Sequence, residues 1–202
     1  MESLKDKTKL VAKNPSYKDL LQADPLQLLR PENDIEFELL HQPSFQKGLE
    51  WGIPRFGHPE GKVLLHIREV LDNIDKLQLD EKVRQQLRTI AFAHDTFKYK
   101  EEKGNPRDWT KHHGALARKF MEKFTHERET LDIIELHDEA YHVWCLEFYH
   151  KQPGAAAQRL DELLVRIEDI IPLYHQFFKV DTQTGDKNQA PLRWFEERFK
   201  NG

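Results

Sequence analysis

The sequence predicts an all-α protein, and three observations indicate this fold class. Apolar residues recur at intervals of three and four along most of the 202 residues, which is the period of an amphipathic helix. No alternation of apolar and polar residues is long enough to indicate a β-strand. Proline, glycine and polar stretches separate the helical segments. We expect a single helical bundle, with a helical extension over residues 1–56 packed on a helical core domain over residues 57–202.

The first 60 residues are the least regular part of the chain. Prolines interrupt them repeatedly, for example at Gln42-Pro43, and the residue before a proline disfavours helix. Short, irregular helices fit between the prolines, and we expect two of them around Tyr17–Gln22 and Ser44–Trp51. The hydroxyl of Ser44 is the candidate cap of the second helix.

From Gly61 onward, the apolar period is regular enough to predict five successive helices. The first carries one apolar stripe, formed by Val63, Ile67, Val70, Ile74 and Leu77. Asp80 is expected to cap the second, whose stripe is formed by Val83, Leu87, Ile90 and Ala91. A loop over residues 101–108 follows. The third and fourth helices are expected over residues 110–124 and 127–139, and the fifth runs through Val143 to the break at Pro153.

The C-terminal part is predicted to hold one long helix and one short helix. The long helix has a heptad-like stripe, formed by Leu160, Leu164, Ile167, Ile171, Tyr174 and Phe178. Pro172 is expected to kink it locally. A polar loop over residues 182–189 follows. Pro191 then begins a short terminal helix that carries Trp194, Phe195 and Phe199.

The composition disfavours several classes of protein. The chain has 31 Lys and Arg residues against 35 Asp and Glu, a net charge of −4, which disfavours nucleic acid as its partner. No apolar run approaches the ~20 residues that cross a bilayer, so we expect no integral membrane protein. The first residues lack the apolar stretch of a secretory signal, and the single cysteine, Cys145, cannot form an internal disulfide. These features predict a cytoplasmic protein.

Histidine is the unusual component of the chain, with 11 residues. Ionisable residues fall at or beside positions where the helix period predicts burial, namely His66, His94, Asp95, His137, Asp138 and Asp181. Buried imidazoles and carboxylates are costly unless they are paired or bind a metal. Metal sites in helical bundles are built from inward-facing groups of this kind on separate helices. The pattern therefore predicts a divalent metal centre inside the bundle.

Motifs of several other enzyme classes are absent. The sequence contains no Gly-x-x-x-x-Gly-Lys-Ser/Thr or Gly-x-Gly-x-x-Gly phosphate loop, no Gly-x-Ser-x-Gly elbow and no His-Glu-x-x-His stripe. One cysteine cannot build a cysteine-rich zinc motif. A centre of histidine and aspartate is therefore the candidate site.

Several ordered stretches carry a family resemblance. They are Pro59-Glu60-Gly61 before the helix with His66, the apolar run from Leu87 that ends in His94-Asp95 with Lys98 three residues later, His113 followed by Ala117 and Phe120, the helix Leu131–His137, and Phe178-Lys179-Val180-Asp181. Over about residues 57–185, the chain resembles the HD-domain superfamily of metal-dependent phosphohydrolases. The resemblance implies an HD-type helical domain over residues 57–202.

The resemblance also implies a set of metal ligands. His66, His94, Asp95 and Asp181 are assigned to a first cation, and His113 and His137 to a second, with Asp95 bridging the two. One or two divalent ions are expected, and Mn²⁺, Fe²⁺, Zn²⁺, Mg²⁺ and Ni²⁺ all suit this set. Such ions activate water and polarise phosphoryl oxygens.

The implied reaction is hydrolysis of a phosphomonoester, phosphodiester or phosphoanhydride of a small molecule, with a nucleotide preferred. Asp95 and Lys98 are the expected catalytic residues, and the charge of Lys98 offsets that of the phosphate. Lys98 and Arg68 are the expected substrate-binding residues. Further basic residues, Arg55, Lys62 and Lys111, are expected near the site.

Two ligand positions stay open. The third-helix ligand is His113 or its neighbour His112, and His113 is preferred for its spacing to the small and apolar residues that follow. The last ligand is Asp181 or Asp138. Asp181 is preferred because it ends a long apolar stripe and because His137 already serves the other helix.

Two alternative functions also stay open. Phe97 stands where the family often has glycine, which favours a non-catalytic module that senses a nucleotide or a metal. A di-iron oxygenase on the same scaffold is the other alternative. A homodimer is left open as well.

Overall fold

The computed structural model describes residues 23–199, and this part of the chain is all-α, as the sequence predicts. The α-helices are α1 (Pro25–Leu29), α2 (Asp34–Leu40), α3 (Pro43–Leu49), α4 (Val63–Ile74), α5 (Glu81–Ala93), α6 (His113–Met121), α7 (Arg128–Leu136), α8 (Glu139–Phe148), α9 (Pro153–Ile167), α10 (Ile171–Thr182) and α11 (Ala190–Phe199). Within residues 23–199, an isolated bridge joins Arg55 and His58, but no β-strand forms. No helix in this range is long and apolar enough to cross a membrane.

The short helices α1 and α2 begin at side-chain caps. Asp24 accepts a hydrogen bond from the Leu26 N–H at 3.0 Å, and Asn33 accepts one from the Glu36 N–H at 2.9 Å. These caps satisfy N–H groups that the first helical turn leaves without partners. The helix expected around Tyr17–Gln22 lies outside the described residues.

Helix α3 differs in detail from the helix expected over Ser44–Trp51. It begins at Pro43, and Gln42 rather than Ser44 occupies the cap position, without a side-chain hydrogen bond. Proline is common in the first turn of a helix, where a backbone N–H would have no helical partner and its absence costs nothing. Helix α3 also packs directly on the backbone of Thr96 at Gly48. A Cβ at this position would lie only 1.8 Å from the Thr96 carbonyl oxygen, so the close approach requires glycine.

A buried ion pair joins α2 to α5. Nε and Nη2 of Arg88 donate to the two carboxylate oxygens of Glu36 at 3.0 and 2.7 Å, and the two side chains are 1% and 0% exposed. Arg88 also donates to the carbonyl oxygen of Arg30 at 3.0 Å. The N-terminal helices are therefore tied to the interior of the bundle by charge as well as by apolar packing.

Helix α5 lies at the centre of the bundle. It begins after Asp80, whose Oδ1 accepts a hydrogen bond from the Val83 N–H at 3.0 Å, as the sequence predicts. Its apolar residues in the last turns are completely buried, namely Leu87, Ile90, Ala91, Phe92 and Ala93. It contacts α2, α4, α6, α7 and α10. The residues that directly follow α5 therefore lie in the interior of the bundle.

The middle helices are shorter than the sequence predicts. Helix α6 begins at His113, because residues 109–111 form a separate 3₁₀ turn. Helix α7 ends at Leu136 and α8 begins at Glu139. The pair His137-Asp138 therefore lies at a junction between two helices and not inside one.

Helices α6 and α7 approach each other closely at Gly114. A Cβ at this position would lie 2.4 Å from the carbonyl oxygen of Glu135. Interiors pack too densely to absorb such an overlap without moving the helices apart. Glycine is therefore needed at this crossing, and it brings its neighbour His113 against the end of α7.

The long C-terminal helix of the prediction is in fact two helices. Helix α9 ends at Ile167, residues Glu168–Ile170 form a 3₁₀ turn, and α10 begins at Ile171. Pro172 lies in the first turn of α10, where its missing N–H breaks no helical hydrogen bond. A proline expected to kink one helix therefore begins a second. The short terminal helix is present as α11.

We predict that Glu36→Ala lowers the free energy of unfolding by about 3–5 kcal/mol, because it removes the buried carboxylate from the Arg88 guanidinium and leaves only the more exposed Glu32. Urea denaturation followed by circular dichroism measures this change. Glu38→Ala, at an exposed position of the same helix, is the control and should shift the midpoint little. Equal midpoints for the two variants would contradict the prediction.

Candidate metal centre

The six residues predicted as metal ligands lie together inside the bundle. They are His66 in α4, His94 and Asp95 directly after α5, His113 at the start of α6, His137 directly after α7, and Asp181 near the end of α10. All six are buried. Five helices that are far apart in sequence thus bring their polar groups to one place.

Helix ends orient two of the imidazoles. Nδ1 of His94 lies 2.9 Å from the carbonyl oxygen of Ala91, and Nδ1 of His137 lies 2.9 Å from that of Ile134. A carbonyl oxygen only accepts hydrogen bonds, so each Nδ1 carries the proton and donates. The lone pair of each neutral ring is therefore on Nε2, which faces inward.

The first group of ligand atoms, which we call site 1, combines His66, His94, Asp95 and Asp181. The two Nε2 atoms are 3.2 Å apart. Nε2 of His66 lies 2.9 Å from Oδ1 of Asp181, and Nε2 of His94 lies 3.7 Å from the same oxygen. Both Nε2 atoms lie 3.7 Å from Oδ2 of Asp95. Each of the two nitrogens therefore lies within 3.7 Å of both carboxylate oxygens.

The second group, which we call site 2, has the same construction. Nε2 of His113 and Nε2 of His137 are 3.2 Å apart. Oδ1 of Asp95 lies 3.3 and 3.4 Å from them, and Oδ2 of Asp138 lies 3.3 and 3.6 Å from them. Asp138 and Asp181, which the sequence leaves as alternatives, therefore both belong to the cluster, one in each site. Asp95 turns one oxygen to each site.

Carboxylates stand behind the other two imidazoles. Nδ1 of His113 lies 3.0 Å from Oε2 of Glu101, and Nδ1 of His66 lies 3.3 Å from Oε1 of Glu60. Histidines that bind metals usually direct the second ring nitrogen at a carboxylate or a carbonyl, which fixes the ring and makes Nε2 more basic. Nδ1 of His94, His113 and His137 is hydrogen-bonded in this way, whereas Nδ1 of His66 faces Glu60 without a hydrogen bond to it.

The residues of both sites fit a divalent cation. Tetrahedral coordination at the bond lengths of ~2.0–2.1 Å common for imidazole places ligand atoms about 3.4 Å apart. The pairs of ligand atoms given above are 2.9 to 3.7 Å apart. Oδ1 of Asp95 is buried and accepts no hydrogen bond from the described part of the chain. A mixed set of imidazoles and carboxylates suits Mn²⁺, Fe²⁺ or Zn²⁺.

The cluster favours ionised carboxylates. The pKa values of Asp95, Asp138 and Asp181 are held well below the usual range: burial opposes their charge, but the neighbouring lysines and imidazoles outweigh it. Three negative charges therefore face the four inward nitrogens.

The carboxylates in turn favour positive charge between the rings. Burial opposes a charge on His113, yet the nearby carboxylates of Asp138, Asp95 and Glu101 raise its pKa to about 10. The pKa of His66 is raised against burial in the same way. Each site thus favours a positive charge, and a bound cation would supply that charge.

Two lysines contact the carboxylates from the solvent side. Nζ of Lys98 lies 2.5 Å from Oδ2 of Asp95, and Nζ of Lys187 lies 2.8 Å from Oδ1 of Asp181. The sequence singles out Lys98 but not Lys187. Both line the cavity that opens above the cluster.

His112 has the opposite tautomer to the histidines at the helix ends. Its Nδ1 accepts a hydrogen bond from the Gly114 N–H at 3.1 Å and caps α6. The proton of the neutral ring is therefore on Nε2, which cannot then donate a lone pair to a metal. Burial, together with the nearby charge of His113, lowers the pKa of His112 to about 3. The geometry thus favours His113 over His112 as the ligand.

Sequence reasoning missed the roles of Glu60, Glu101 and Lys187, and it treated Asp138 as an alternative to Asp181 rather than as a second member of the cluster. Glu60, Glu101 and Lys187 lie in loops, so the helix period gives no signal for their burial or direction. Glu60 falls in the Pro-Glu-Gly stretch that carries the family resemblance, and this was the one usable signal. Glu60 also accepts a hydrogen bond from Nδ1 of His58 at 2.9 Å.

Arg68, expected to bind substrate, is not brought to the cluster. It lies on another face of α4, where it donates to the carbonyl oxygen of Leu28 at 3.2 Å and pairs with Asp72 at 2.8 Å. Arg68 is two residues after His66, which is about 200° around the helix, so the two side chains face different sides. This placement corrects the expectation for Arg68. Of the other basic residues, Arg55 lines the cavity, whereas Lys62 and Lys111 pair with Glu50 and Glu102.

An open cavity of about 480 Å³ lies over both sites. Asp95, Asp138 and Asp181 line its floor. Its walls carry cations and aromatic rings, among them Arg55, Lys98, Lys103, Arg107, Lys187, Trp51, Tyr141, Trp144 and Tyr149. This volume is typical of sites for small molecules. The arrangement suits an anionic molecule whose charge is directed at the cluster.

Comparison with known proteins finds no matching family model, no matching curated protein and no matching solved structure. The resemblance to the HD-domain superfamily therefore stays a prediction from the sequence. The geometry of the two sites is the basis for a functional proposal.

We predict opposite tautomers within the cluster in chelator-treated protein. Long-range ¹H–¹⁵N correlation spectra should show His94 and His137 protonated on Nδ1 and His112 protonated on Nε2, because their hydrogen-bond partners are two carbonyls and one N–H. His126, which is exposed, is the control and should show averaged tautomers. A proton on Nδ1 of His112 would contradict the prediction and readmit His112 as a ligand.

Proposed function

We propose that the protein is a metal-dependent phosphohydrolase that acts on a small phosphorylated molecule at two adjacent divalent-ion sites. One observation carries the proposal. Two pairs of histidines point inward, the Nε2 atoms within each pair are 3.2 Å apart, and both pairs face the carboxylate of Asp95. Two sites that share a carboxylate suit the clamping of a phosphoryl group during displacement.

Eight ligand atoms on seven residues hold the ions in this proposal. Site 1 uses His66, His94, Asp95 and Asp181, and site 2 uses His113, His137, Asp95 and Asp138. The ions supply Lewis acidity toward a phosphoryl oxygen and toward the attacking water. Glu101 and two backbone carbonyls hold three of the four rings by hydrogen bonds, so their ligand atoms need little rearrangement.

The cavity walls bind and orient the substrate. Lys98 lies beside Asp95, where its charge offsets that of a phosphate group. Arg55, Lys103 and Arg107 add positive charge along the walls. The exposed ring of Tyr149 offers a surface on which a planar base stacks. A nucleotide therefore remains the preferred substrate, and Arg68 is excluded from its binding.

Phe97, which favours a non-catalytic module at the sequence level, does not obstruct the cavity. Its side chain is buried and packs on Phe120 with ring centroids 4.9 Å apart. The space beside Lys98 and the two sites stays open to an incoming phosphate. This placement supports catalysis over sensing.

The proposal is tested by elemental analysis of the purified protein, followed by a phosphate-release screen with the metals found. Two divalent ions per chain are expected, with release of inorganic phosphate or an alcohol from a nucleotide, a phosphodiester or a simple aryl phosphate. A protein that binds the ions but releases no product from the whole panel would overturn the proposal. Oxygen consumption under the same conditions would support the di-iron alternative instead.

We predict that Asp95→Ala loses both ions and all detectable phosphate release, because each oxygen of this carboxylate faces one site. Metal content and turnover are measured on the same preparation. Asp161→Ala, on the exposed face of α9, is the matched control and should keep both properties. Retained hydrolysis in Asp95→Ala would contradict the assignment of Asp95 as the carboxylate that both sites share.

We also predict that Glu101→Ala weakens ion binding at site 2 by roughly 10–100-fold, because Nδ1 of His113 loses the carboxylate that orients it. Titration calorimetry with Mn²⁺ measures the affinity. The adjacent Glu102→Ala removes an exposed carboxylate that pairs with Lys111, and it should leave the affinity unchanged. Similar losses in the two variants would point to a general charge effect, against the prediction.

A further inference from the structure

Lys187 shares a carboxylate oxygen with site 1. Its Nζ lies 2.8 Å from Oδ1 of Asp181, and the same oxygen lies 2.9 Å from Nε2 of His66. Nζ also donates to the carbonyl oxygen of Asp181 at 3.2 Å. The lysine side chain is 18% exposed and lines the cavity. An ammonium group therefore lies directly between an ion ligand and the space for a substrate.

The loop that carries Lys187 is anchored along its backbone. The Gly185 N–H donates to Oε2 of Glu69 at 2.8 Å, and Asp186 accepts from the Gly57 N–H at 2.6 Å. The Gln189 amide donates to the carbonyl oxygen of Lys187 at 2.9 Å. The backbone is thus held on both sides of Lys187, whereas the lysine side chain keeps its four-carbon stem of rotatable bonds.

Oδ1 of Asp181 cannot serve an ammonium group and a divalent cation equally well. A cation at site 1 draws on the electron pairs of this oxygen, and it repels an ammonium only a few ångströms away in a poorly solvated place. The free direction for Nζ is the cavity that Lys187 already lines. Lys98 stands in the same relation to Oδ2 of Asp95.

We propose that Lys187 is a second phosphate-binding residue whose availability depends on the ion in site 1. It pairs with Asp181 when no divalent ion competes for that oxygen, and it turns to an anionic oxygen of the substrate phosphate when one does. Binding of the ion and binding of the anion are therefore coupled through this side chain. The inference rests on the ion sites of the proposed function, but not on hydrolysis itself.

The test uses the full chain with Mn²⁺ and inorganic phosphate as probes. In Lys187→Met, Mn²⁺ is expected to bind at least ~5-fold more tightly in the absence of phosphate, because the competing ammonium is gone. Phosphate is expected to bind the Mn²⁺-loaded variant at least ~5-fold more weakly, since coupled sites typically differ by 5–150-fold. Titration calorimetry measures both affinities.

Lys82→Met is the matched control. Lys82 is exposed on α5 and does not line the cavity, so its loss reports the general effect of one positive charge. Both affinities should change by less than ~2-fold in this variant. Lys187→Gln is the second test variant and should repeat the result with a polar side chain of similar reach, after thermal melts establish that both Lys187 variants are folded.

The outcomes separate this inference from the proposed function. Weaker Mn²⁺ binding in the Lys187 variants would mean that the lysine merely holds Asp181 in place, and would overturn the inference. Unchanged phosphate affinity would overturn it as well. A wild-type chain that binds no Mn²⁺ would overturn the inference together with the proposed function. A chain that shows the expected couplings but hydrolyses nothing would contradict the proposed function alone.

Discussion

Asp95 is the carboxylate that both imidazole pairs share. Within each pair the two Nε2 atoms are 3.2 Å apart, and one oxygen of Asp95 faces each pair. Its position follows from α5, the helix at the centre of the bundle, because the chain leaves α5 in the interior. The packing around α5, including the ion pair of Arg88 with Glu36, therefore also sets the geometry of the cluster.

Much of this arrangement can be predicted from the sequence, since the helices and several of the candidate ligands follow the same helical spacing of three and four residues. The spacing of apolar residues predicts the helical class, and the cap at Asp80 is found where the pattern places it. His94 and His137 each continue an apolar stripe by one step, so burial of their helices brings them inward. Local periodicity thus reports which side chains point at the core, although it does not report which helices meet there.

The remainder depends on tertiary packing that no local pattern encodes. Glu101 and Lys187 lie in loops. Glu101 is directed at His113 in the next helix, and the loop of Lys187 is anchored by Gly57 and Glu69 from the other end of the domain. Asp138 joins site 2 because the chain breaks between α7 and α8, a break without a proline or glycine to mark it. Arg68 is close to His66 in sequence, yet it faces away from the site and pairs with Asp72. The presence of a basic residue near a ligand in sequence does not show which way its side chain points.

The close crossing of α6 and α7 at Gly114 also bears on the freedom of the buried imidazoles. His113 and His137 sit at the ends of these two helices, whose backbones touch at Gly114, and their Nε2 atoms are 3.2 Å apart. Any larger residue at position 114 would push the helices apart and separate the two rings. A glycine that has no side chain of its own therefore helps to set the spacing of two nitrogens in the cluster.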